Sequence, residues 1–349
     1  MDSNVAKVVI KIDGTELGTA ESDNLMSVKV SSSLGTSAIA KINFFDDSAV
    51  LQDKTTFDIG KSITIAIGTE SSSEDIFKGD IIRIDYIFSS GEADKIQLIC
   101  YDGLYRLGKI WHSRAFVKMK LSDIATKMAG EASLTGNKID ATTTQIEHLY
   151  QNNQSNLDFL RMHAKRIGYD VGIEDGGLLF KKARYKSKTK GSVTLTWGDN
   201  LIDLNVKLDA SDVLAEVVVS SWDPDTKKNI ESSVKAGSED KIAAPTTMGA
   251  NKVKTKLKSD AKFYRLDFPS LTAAEAKEIA TTHLTQSSMG YLKAEGTCVG
   301  DPSFKLGTTV EVEGIGSKIS GEYYITSFDH IYNKDGYKTF FEAQANGTY

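Results

Sequence analysis

The sequence has little of several features that define well-known protein classes. Its 349 residues include two cysteines and four prolines. Cys100 and Cys298 alone cannot form a disulfide framework or a four-cysteine zinc site, and so few prolines exclude collagen-like and proline-rich linker classes. No apolar run approaches the roughly 18 residues that a membrane helix needs, and residues 1–7 lack the basic and apolar regions of a secretory signal. The net charge of −5 gives no general attraction to nucleic acid or anionic lipid.

The composition is that of a folded protein with more than one domain. Hydrophobic residues make up 40% of the chain and charged residues 26%, which is a typical balance for a soluble globular protein. The length exceeds the roughly 250–300 residues at which a single hydrophobic core stops growing. We therefore expect two or three domains.

Motifs for catalysis and for metal binding are missing. The chain has no G-x-S-x-G, H-E-x-x-H, C-x-x-C or G-x-G-x-x-G, and its five histidines are too far apart in sequence for a local ligand pair. Residues 223–226 (DPDT) lack the glycine and glutamate of a calcium loop and are typical of a β-turn between strands. Cys100 and Cys298 lie on apolar strand faces, where small hydrophobic residues are buried. We therefore predict no enzyme activity, no cofactor and no metal site.

Two lysine-rich segments each allow two interpretations. Residues 181–190 crowd basic side chains around Tyr185, which fits a nucleic-acid patch or, in an acidic chain, a solvated loop between domains. Lysine also occupies every second position over residues 252–258. As a strand, that segment is either an edge strand that lysines protect against stray pairing or a wall that faces a partner or a channel. We favour the solvated loop and the protected edge strand.

Antiparallel β-structure is predicted for residues 1–100 and again towards the C-terminus. Isoleucines alternate with other residues over 63–67, and apolar residues alternate with others over 82–88. This two-residue period places one face of each strand in a core. Similar patterns return within 193–219 and 310–341. Many short strands separated by turn clusters favour a sandwich or a barrel.

The middle of the chain has helical signals. Ser122 can cap one helix, and Ser155 can cap a second helix because an acidic residue follows it three positions later. Gly168 supplies a left-handed stop for the second helix. Residues 169–180 then resemble a β-hairpin around two glycines. A small α+β domain near residues 103–182 follows from these signals.

The two ends of the chain resemble each other. Residues 57–65 (FDIGKSITI) align with residues 304–312 (FKLGTTVEV), so that Gly60 matches Gly307. Each copy then has two further glycines that precede strands in the same order: Gly79 and Gly91, then Gly321 and Gly336. The order is kept while loop lengths differ, as expected for a duplicated unit with insertions in its loops. A chance likeness between two unrelated β-meanders is the alternative.

Three segments, taken together, point to one known family. Residues 151–169 (QNNQSNLDFLRMHAKRIGY) are similar to the pattern Q-x-x-E-S-D-x-x-F-L-x-R-L-A-x-x-x-G-Y, with Gln154 in the place of the usual acidic residue. Residues 217–228 resemble a strand, Trp-Asp-Pro and turn, and residues 321–340 resemble two closing strands. In this order they resemble the phage late control gene D family, the baseplate hub proteins of contractile tails and related injection machines. That family is similar to the hub part of type VI secretion spike proteins.

The resemblance covers nearly the whole chain and implies its fold class. The fold is expected to be mainly β, with two tube-type β-barrels flanking a small α+β insertion domain. The expected domains are residues 1–102 for the first barrel, 103–182 for the insertion domain, 183–270 for the first part of the second barrel with a lysine-rich insertion, and 271–349 for its helix and closing strands. The structural residues that carry the family motifs and the repeat are Gln151, Ser155, Phe159, Leu160, Arg161, Gly168, Tyr169, Trp222, Asp223, Pro224, Gly60, Gly307, Gly321, Tyr323 and His330.

The same resemblance implies a function as a structural adaptor. A homotrimer offers three copies of any surface, and two similar barrels in each chain give six similar docking faces. Such a hub joins a sixfold inner tube to a threefold central spike. Expected partners are two further copies of the chain, the inner tube protein, other baseplate proteins and a central spike that is a separate protein, because the chain stops at Tyr349 without a spike segment. No nucleic-acid specificity and no membrane insertion are expected. The protein is expected to be made in the bacterial cytoplasm and to act in the baseplate of a virion or phage-tail-like particle.

Three other functions stay open from the sequence. A tip protein of a non-contractile tail has a similar barrel arrangement, and a cell-wall hydrolase is a further, weaker alternative. A carbohydrate-binding adhesin usually displays exposed aromatic side chains. Trp111, Trp197 and Trp222 lie in or beside strand patterns instead, where packing in a core is the simpler expectation.

Overall fold

The protein folds mainly as β-sheet in a computed structural model. The structure describes residues 6–46, 51–69, 72–90, 93–183, 185, 193–223, 226–243, 245–258, 260–266 and 272–349. The first third contains the strands β1 (Lys7–Ile12), β2 (Thr15–Glu16), β3 (Leu25–Ser33), β4 (Ile39–Phe45), β5 (Ser62–Thr69), β6 (Ser72–Ile87) and β7 (Lys95–Tyr101), and the short helix α1 (Thr19–Asp23).

An α+β unit follows the first third of the chain. Its elements are α2 (Leu104–Lys109), β8 (Trp111–Lys120), α3 (Leu121–Glu131), β9 (Thr135–Ile139), β10 (Gln145–Ser155), α4 (Asn156–Ile167), β11 (Tyr169–Glu174) and β12 (Gly177–Lys182). β11 and β12 form the predicted hairpin, in antiparallel register. Helix α3 begins at Leu121, so Ser122 lies one residue inside the helix rather than at its cap.

The last part of the chain is again rich in strands. They are β13 (Thr194–Thr196), β14 (Leu201–Leu208), β15 (Glu216–Asp223), β16 (Lys228–Lys235), β17 (Thr247–Met248), β18 (Lys262–Leu266), β19 (Leu292–Val299), β20 (Thr309–Glu313), β21 (Gly321–Asn333), β22 (Gly336–Ala345) and β23 (Gly347–Thr348). The helices are α5 (Gly249–Lys256) and α6 (Ala273–Ser288), and a 3-10 turn covers Met289–Tyr291.

One continuous sheet joins the two ends of the chain. Its strands follow the order β14-β19-β22-β21-β3-β4-β7-β6-β5-β1-β2, with β20 paired to both β21 and β13. The first repeat (β1 and β3 to β7) has the neighbour order β1-β5-β6-β7-β4-β3. The second repeat (β13, β14 and β19 to β22) has the neighbour order β13-β20-β21-β22-β19-β14. The two repeats therefore use their strands in the same chain order and the same spatial order.

Irregularities in the ladders recur at equivalent places. The ladder between β6 and β7 shifts register between Ile81 and Arg83, and the ladder between β21 and β22 shifts between Ile325 and Ser327. The β3–β4 and β14–β19 ladders also share one shift, two residues after their first pair. Because bulges are specific features of a fold rather than defects, their recurrence supports a common origin of the two repeats. One difference is that β1 pairs antiparallel to β5 whereas β13 pairs parallel to β20.

The aligned glycines occupy equivalent turns. The N–H of Gly60 donates to the carbonyl of Ile81 at 2.8 Å, and the N–H of Gly307 donates to the carbonyl of Ile325 at 3.3 Å. Both glycines have positive φ, 88° and 71°, which is the conformation that glycine adopts without strain. The predicted alignment of residues 57–65 with residues 304–312 is confirmed.

The predicted match between Gly79 and Gly321 is wrong by two residues. Gly79 lies opposite Ile63, and the equivalent Val310 lies opposite Tyr323. Gly79 is small for its own reason, because a Cβ atom there would lie 2.1 Å from the carbonyl oxygen of Tyr101. Gly91 lies outside the described residues, so its match to Gly336 stays a prediction.

The described residues form four apolar cores. The first repeat encloses one core, to which β1, β3, β4, β5, β6 and β7 all contribute, and the second repeat encloses another. The α+β unit has its own core between α3, α4 and its strands. A fourth core lies between α6 and the three-stranded sheet β16-β15-β18.

The predicted strand over residues 252–258 is wrong. Residues 249–256 form helix α5, and its buried residues Gly249, Ala250 and Val253 follow a helical spacing. Lysine has good helix propensity, so alternate lysines do not by themselves distinguish a strand from a helix. The Lys252 Nζ atom donates to Thr348 Oγ1 at 2.7 Å, which ties this helix to the last strand.

Candidate functional site

The two repeats meet in an internal junction, the antiparallel ladder between β3 and β21. Its register pairs Ser33 with Ser327 at one end and Val28 with Tyr332 at the other. The Leu34 N–H extends the contact by donating to the carbonyl of Thr326 at 3.0 Å. The junction is therefore an edge-to-edge union of two equivalent sheets within one chain.

The inner face of the internal junction is apolar and tightly covered. Val28, Val30 and Phe328 are buried, and His330 is buried opposite Val30. The phenol of Tyr337 lies 2.8 Å from His330 Nδ1, so the imidazole has a polar partner inside the core. Burial lowers the pKa of His330 from 6.5 to about 4, although Asp301 and Asp329 act in the opposite direction. The ring is therefore neutral at physiological pH and serves packing.

The opposite face of the internal junction is polar. Lys29 on β3 and Asp329 on β21 form a salt bridge with 2.8 Å between Nζ and Oδ2. Charge complementarity on one face and apolar burial on the other thus define how one sheet edge recognises the other.

The segment predicted from the Q-x-x-E-S motif builds the α+β unit. Gln151 is fully buried in β10. Its Oε1 accepts from Arg114 Nε at 2.9 Å, and its Nε2 donates to Asn156 Oδ1 at 3.0 Å. Arg114 also forms a salt bridge of 2.6 Å with Glu131, which lowers the pKa of that carboxylate. This polar network connects β8, β10 and the ends of α3 and α4.

Helix α4 has the boundaries that its sequence predicts. The Ser155 Oγ accepts from the backbone N–H of Asp158 at 3.1 Å, and Gly168 ends the helix with φ of 72°. Phe159 and Leu160 are fully buried in the core of the unit. Arg161, in contrast, is on the surface, 3.9 Å from Asp158.

The α+β unit contacts both repeats. The N–H of Gly35, just after β3, donates to the carbonyl of Val171 at 3.0 Å. The hydroxyl of Tyr324 in β21 donates to Asp170, whose pKa burial raises to about 6. The end of α4 also meets α6, where Gln286 Nε2 donates to the carbonyl of Lys165 at 2.8 Å. The unit therefore braces the two repeats, and Tyr169, which packs on Phe180, belongs to the same brace.

The other predicted residues lie apart from this cluster. Trp222 and Asp223 end β15, and Asp223 accepts from the hydroxyl of Thr226 at 2.5 Å, as expected for a turn. Pro224 lies outside the described residues. Gly321 and Tyr323 begin β21, where Tyr323 is fully buried. The structure thus brings residues 151–169 together as one unit but does not join them to Trp222.

The expectation that the tryptophans pack in a core is wrong. Trp111, Trp197 and Trp222 are each more than half exposed. All three lie at the end of a strand or just beyond one. Exposed aromatic side chains of this kind are typical of protein interfaces.

The described residues offer neither a reactive thiol nor a metal site. Cys100 and Cys298 are buried, and burial raises the pKa of each thiol to about 12. Within the described ranges, no cluster of three or more His, Cys, Asp or Glu side chains is arranged to hold a metal ion. The helices of that same part of the chain are all too short or too polar to span a bilayer.

Some residues of the internal junction gave no signal in the sequence. Alternation predicts that Val28 and Val30 face a core, but it does not predict that their strand pairs with β21, about 300 residues later. Asp170 follows the last motif residue, and only the fold places Tyr324 beside it. The match of residues 57–65 to residues 304–312 indicated that the chain contains two similar units, but not how they pair.

A protein-family model matches most of the chain. A family model described as the Alg8 N-terminal domain matches residues 2–334. No curated protein matches the sequence.

Solved structures with a similar fold include two tail proteins. The chain is similar to the 43 kDa tail protein of prophage MuSo2 from Shewanella oneidensis, with a TM-score of 0.71 and 17% identity over 97% of this chain and 98% of that one. It is similar to a tail protein from Neisseria meningitidis MC58, with a TM-score of 0.69 and 15% identity over 97% and 96%. A third similar structure is the E. coli c3393 protein, described as a component of the type VI secretion system with structural similarity to T4 bacteriophage tail proteins gp27 and gp5; its TM-score is 0.61, with 12% identity over 97% and 78%. At these identities the likeness shows a common fold, and the expected resemblance to tail baseplate proteins is confirmed at that level.

Proposed function

The chain belongs to the Alg8 N-terminal domain family. From its fold and its duplicated sheet, we propose that it is the structural baseplate hub of a contractile tail or tail-like injection system. In this role the chain forms a homotrimer that joins a sixfold inner tube to a threefold central spike. It acts in the baseplate of a virion or a phage-tail-like particle, beside other baseplate proteins. Its work is assembly and conduction rather than catalysis.

One observation carries the proposal: the two repeats share strand order, ladder register and bulge positions. A trimer of such chains presents six similar sheet units around one axis. A sixfold tube can then dock on the hub without a symmetry mismatch. The fold that the chain has in common with tail proteins supports the same role.

The domain division also belongs to this proposal. Residues 1–102 and 183–349 form the two tube-type barrels, and residues 103–182 form the insertion domain between them. The separate apolar cores of the repeats and of the α+β unit support these boundaries. In the described part of the chain no ladder joins β1 to β3, so closure of the first barrel rests on side-chain packing across its core.

The test is reconstitution with neighbouring tail proteins. The full chain is co-expressed with the tube, spike and sheath proteins encoded beside it, and the complexes are purified through a tag on the spike. The proposal expects three copies of the 38.1 kDa chain for each spike trimer, measured by native mass spectrometry, and a ring of tube diameter by electron microscopy. A chain that stays monomeric and binds neither the tube nor the spike contradicts it.

A tip protein of a non-contractile tail is the second candidate. The described tail-protein structures share the fold without specifying contraction, and the duplicated repeat serves either tail type. A particle that contains this chain and no sheath protein supports the tip role.

Peptidoglycan zymography tests the cell-wall hydrolase alternative. That function requires clearing of the substrate that depends on one carboxylate of the chain.

A further inference from the structure

Two sheet edges in the described part of the chain are equivalent to the internal junction but have no partner strand. The second half of β6 pairs with β7 on one side only, and β14 pairs with β19 on one side only. In the duplicated arrangement, β6 corresponds to β21 and β14 corresponds to β3. The internal junction between β21 and β3 therefore shows what the free β6 edge and the free β14 edge can do.

We propose that the free β6 edge of one chain pairs antiparallel with the free β14 edge of a second copy, in the register of the internal junction. This proposal rests on the proposed function for the number of copies, but it names the surface through which they meet. Eight consecutive strands, from β14 through β6, would then run on into the neighbouring chain. Such a head-to-tail contact is heterologous and closes into a ring when the rotation per chain allows it.

The ladders fix the register without adjustable assumptions. Asp80 and Tyr324 hold equivalent places, because Asp80 lies opposite Ser62 and Tyr324 lies opposite the matching Thr309. The shared bulge then places Tyr86 at the position of His330. On the other edge, the shared bulge places Val206 at the position of Val30. Since His330 lies opposite Val30, Tyr86 should lie opposite Val206 of the neighbouring chain.

The side chains brought together by this register are complementary. On the inner face, Ile84 meets Leu208 and Phe88 meets Leu204, on either side of the pair Tyr86 and Val206. On the outer face, Arg83 meets Asp209 and Asp85 meets Lys207. In the single chain these exposed charges have local partners, 3.0 Å between Arg83 and Asp85 and 2.7 Å between Lys207 and Glu295. Opposite charges and apolar pairs across strands stabilise a sheet, whereas like charges would oppose pairing.

Burial distinguishes the filled junction from the free edges. His330 is 2% exposed, whereas Tyr86 in the equivalent place is 46% exposed. Phe88 is 65% exposed and Leu208 is 44% exposed, although both lie on the apolar side of their strands. A surface hollow lined by Val206, Leu208, Ile315 and Ile319 lies against the β14 edge, where the neighbour's aromatic side chains can pack. Long edges with exposed apolar side chains are templates for strand addition.

Paired cysteines test the register directly. Ile87 should lie opposite Asn205 of the next chain, as Ile331 lies opposite Lys29 in the internal junction. Residues directly opposite in an antiparallel pair have Cα atoms about 4.5–5.5 Å apart, within the range that a disulfide spans. The full-length variant Ile87→Cys/Asn205→Cys, oxidised under mild conditions, is expected to give ladders of covalent multimers on non-reducing gels. The native thiols Cys100 and Cys298 are buried.

Two matched variants control this experiment. Tyr86→Cys/Asn205→Cys places the thiols on opposite faces and should give at least fivefold less cross-linked product. Lys29→Cys/Ile331→Cys reports the same geometry inside one chain and should give a monomer with a closed disulfide. Equal cross-linking of the two interchain pairs overturns the proposed edge pairing. The absence of any cross-link between positions 87 and 205 overturns it too, whether the protein is an oligomer or a monomer.

Charge reversal gives an independent measurement. Lys207→Glu should weaken self-association at least tenfold, and Asp85→Lys in the same chain should restore it, because the opposite charges are exchanged across the interface. Failure of restoration contradicts the register. The proposed function fails differently: a chain that cross-links through positions 87 and 205 but never co-purifies with tube or spike keeps the edge pairing and loses the hub role.

Discussion

At the scale of single residues, His330 and Asp170 have opposite effects of pH on stability. Burial lowers the pKa of His330 from 6.5 to about 4, so its neutral form is favoured in the folded state. Its contribution is complete above pH 6.5 and is lost as the pH falls towards 4. Burial raises the pKa of Asp170 from 3.8 to about 6, so its protonated form is favoured. That contribution is complete below pH 3.8 and is lost as the pH rises through 6.

Variants at these two positions should therefore change the pH profile with opposite sign. Relative to His330→Gln, the native chain should lose up to about 3 kcal/mol of unfolding free energy between pH 6.5 and 4. Relative to Asp170→Asn, it should lose a similar amount between pH 4 and 6. Urea unfolding at stepwise pH values measures both differences. Parallel profiles for the native chain and either variant contradict the assigned burial.

Gly79 should tolerate no side chain. A Cβ atom there would lie 2.1 Å from the Tyr101 carbonyl oxygen, a backbone atom held in the β6–β7 ladder. Gly79→Ala should cost about 1–3 kcal/mol, because overpacking displaces the neighbouring strand. Gly130→Ala is the matched control, since it lies in helix α3 with open space around it, and should stabilise the chain by about 0.5–1 kcal/mol. Thermal unfolding of both variants tests this contrast, and similar melting temperatures contradict it.

At the scale of elements, the polar network of the α+β unit holds helices and strands in one arrangement. Gln151→Ala removes the acceptor of Arg114 Nε and the amide that donates to the Gln154 carbonyl and to the Asn156 amide oxygen. Losing these hydrogen bonds at a buried position should cost about 1–3 kcal/mol. Gln154→Ala, in the same strand but only half-buried, should cost less than about 0.5 kcal/mol. Urea unfolding compares the two, and equal losses contradict a specific role for Gln151.

Element prediction succeeded where one local interaction decides the structure. Ser155 and Gly168 delimit helix α4 because a side-chain cap and a left-handed residue are local devices. It failed at residues 252–258, where two periods compete and the burial of Ala250 and Val253 selects the helix. It also failed for Trp111, Trp197 and Trp222, because a strand pattern does not show which face another element covers.

At the scale of the whole molecule, the repeat in sequence was short and its consequence large. Nine aligned residues predicted that the ends of the chain fold alike, and the ladders extend the match over six strands in each repeat. The internal junction was not predictable, because pairing between β3 and β21 depends on shape and burial across the whole chain. The register of Gly79 was missed for the same reason: glycine spacing in loops carries less information than opposing strand positions.

Trp222 is an exposed aromatic side chain of the kind that often anchors protein interfaces. Trp222→Ala should change the unfolding free energy by less than about 0.5 kcal/mol, because the side chain is mostly in solvent. In the proposed hub, it should weaken co-purification with the neighbouring baseplate proteins about tenfold or more. Trp222→Phe keeps an aromatic face and should retain most binding. Pull-down yields with matched melting curves measure this, and unchanged yield for the alanine variant contradicts an interface role.

The unequal connections between strands have a consequence for symmetry. In the first repeat a short loop links β3 to β4, whereas in the second repeat β15 to β18, α5 and α6 lie between β14 and β19. In the proposed ring of three chains, repeats without this insertion would alternate with repeats that carry it. The inner wall would then have near-sixfold symmetry, while the outer surface would have threefold symmetry. Three copies of another protein could bind the outer surface without disturbing the sixfold inner wall.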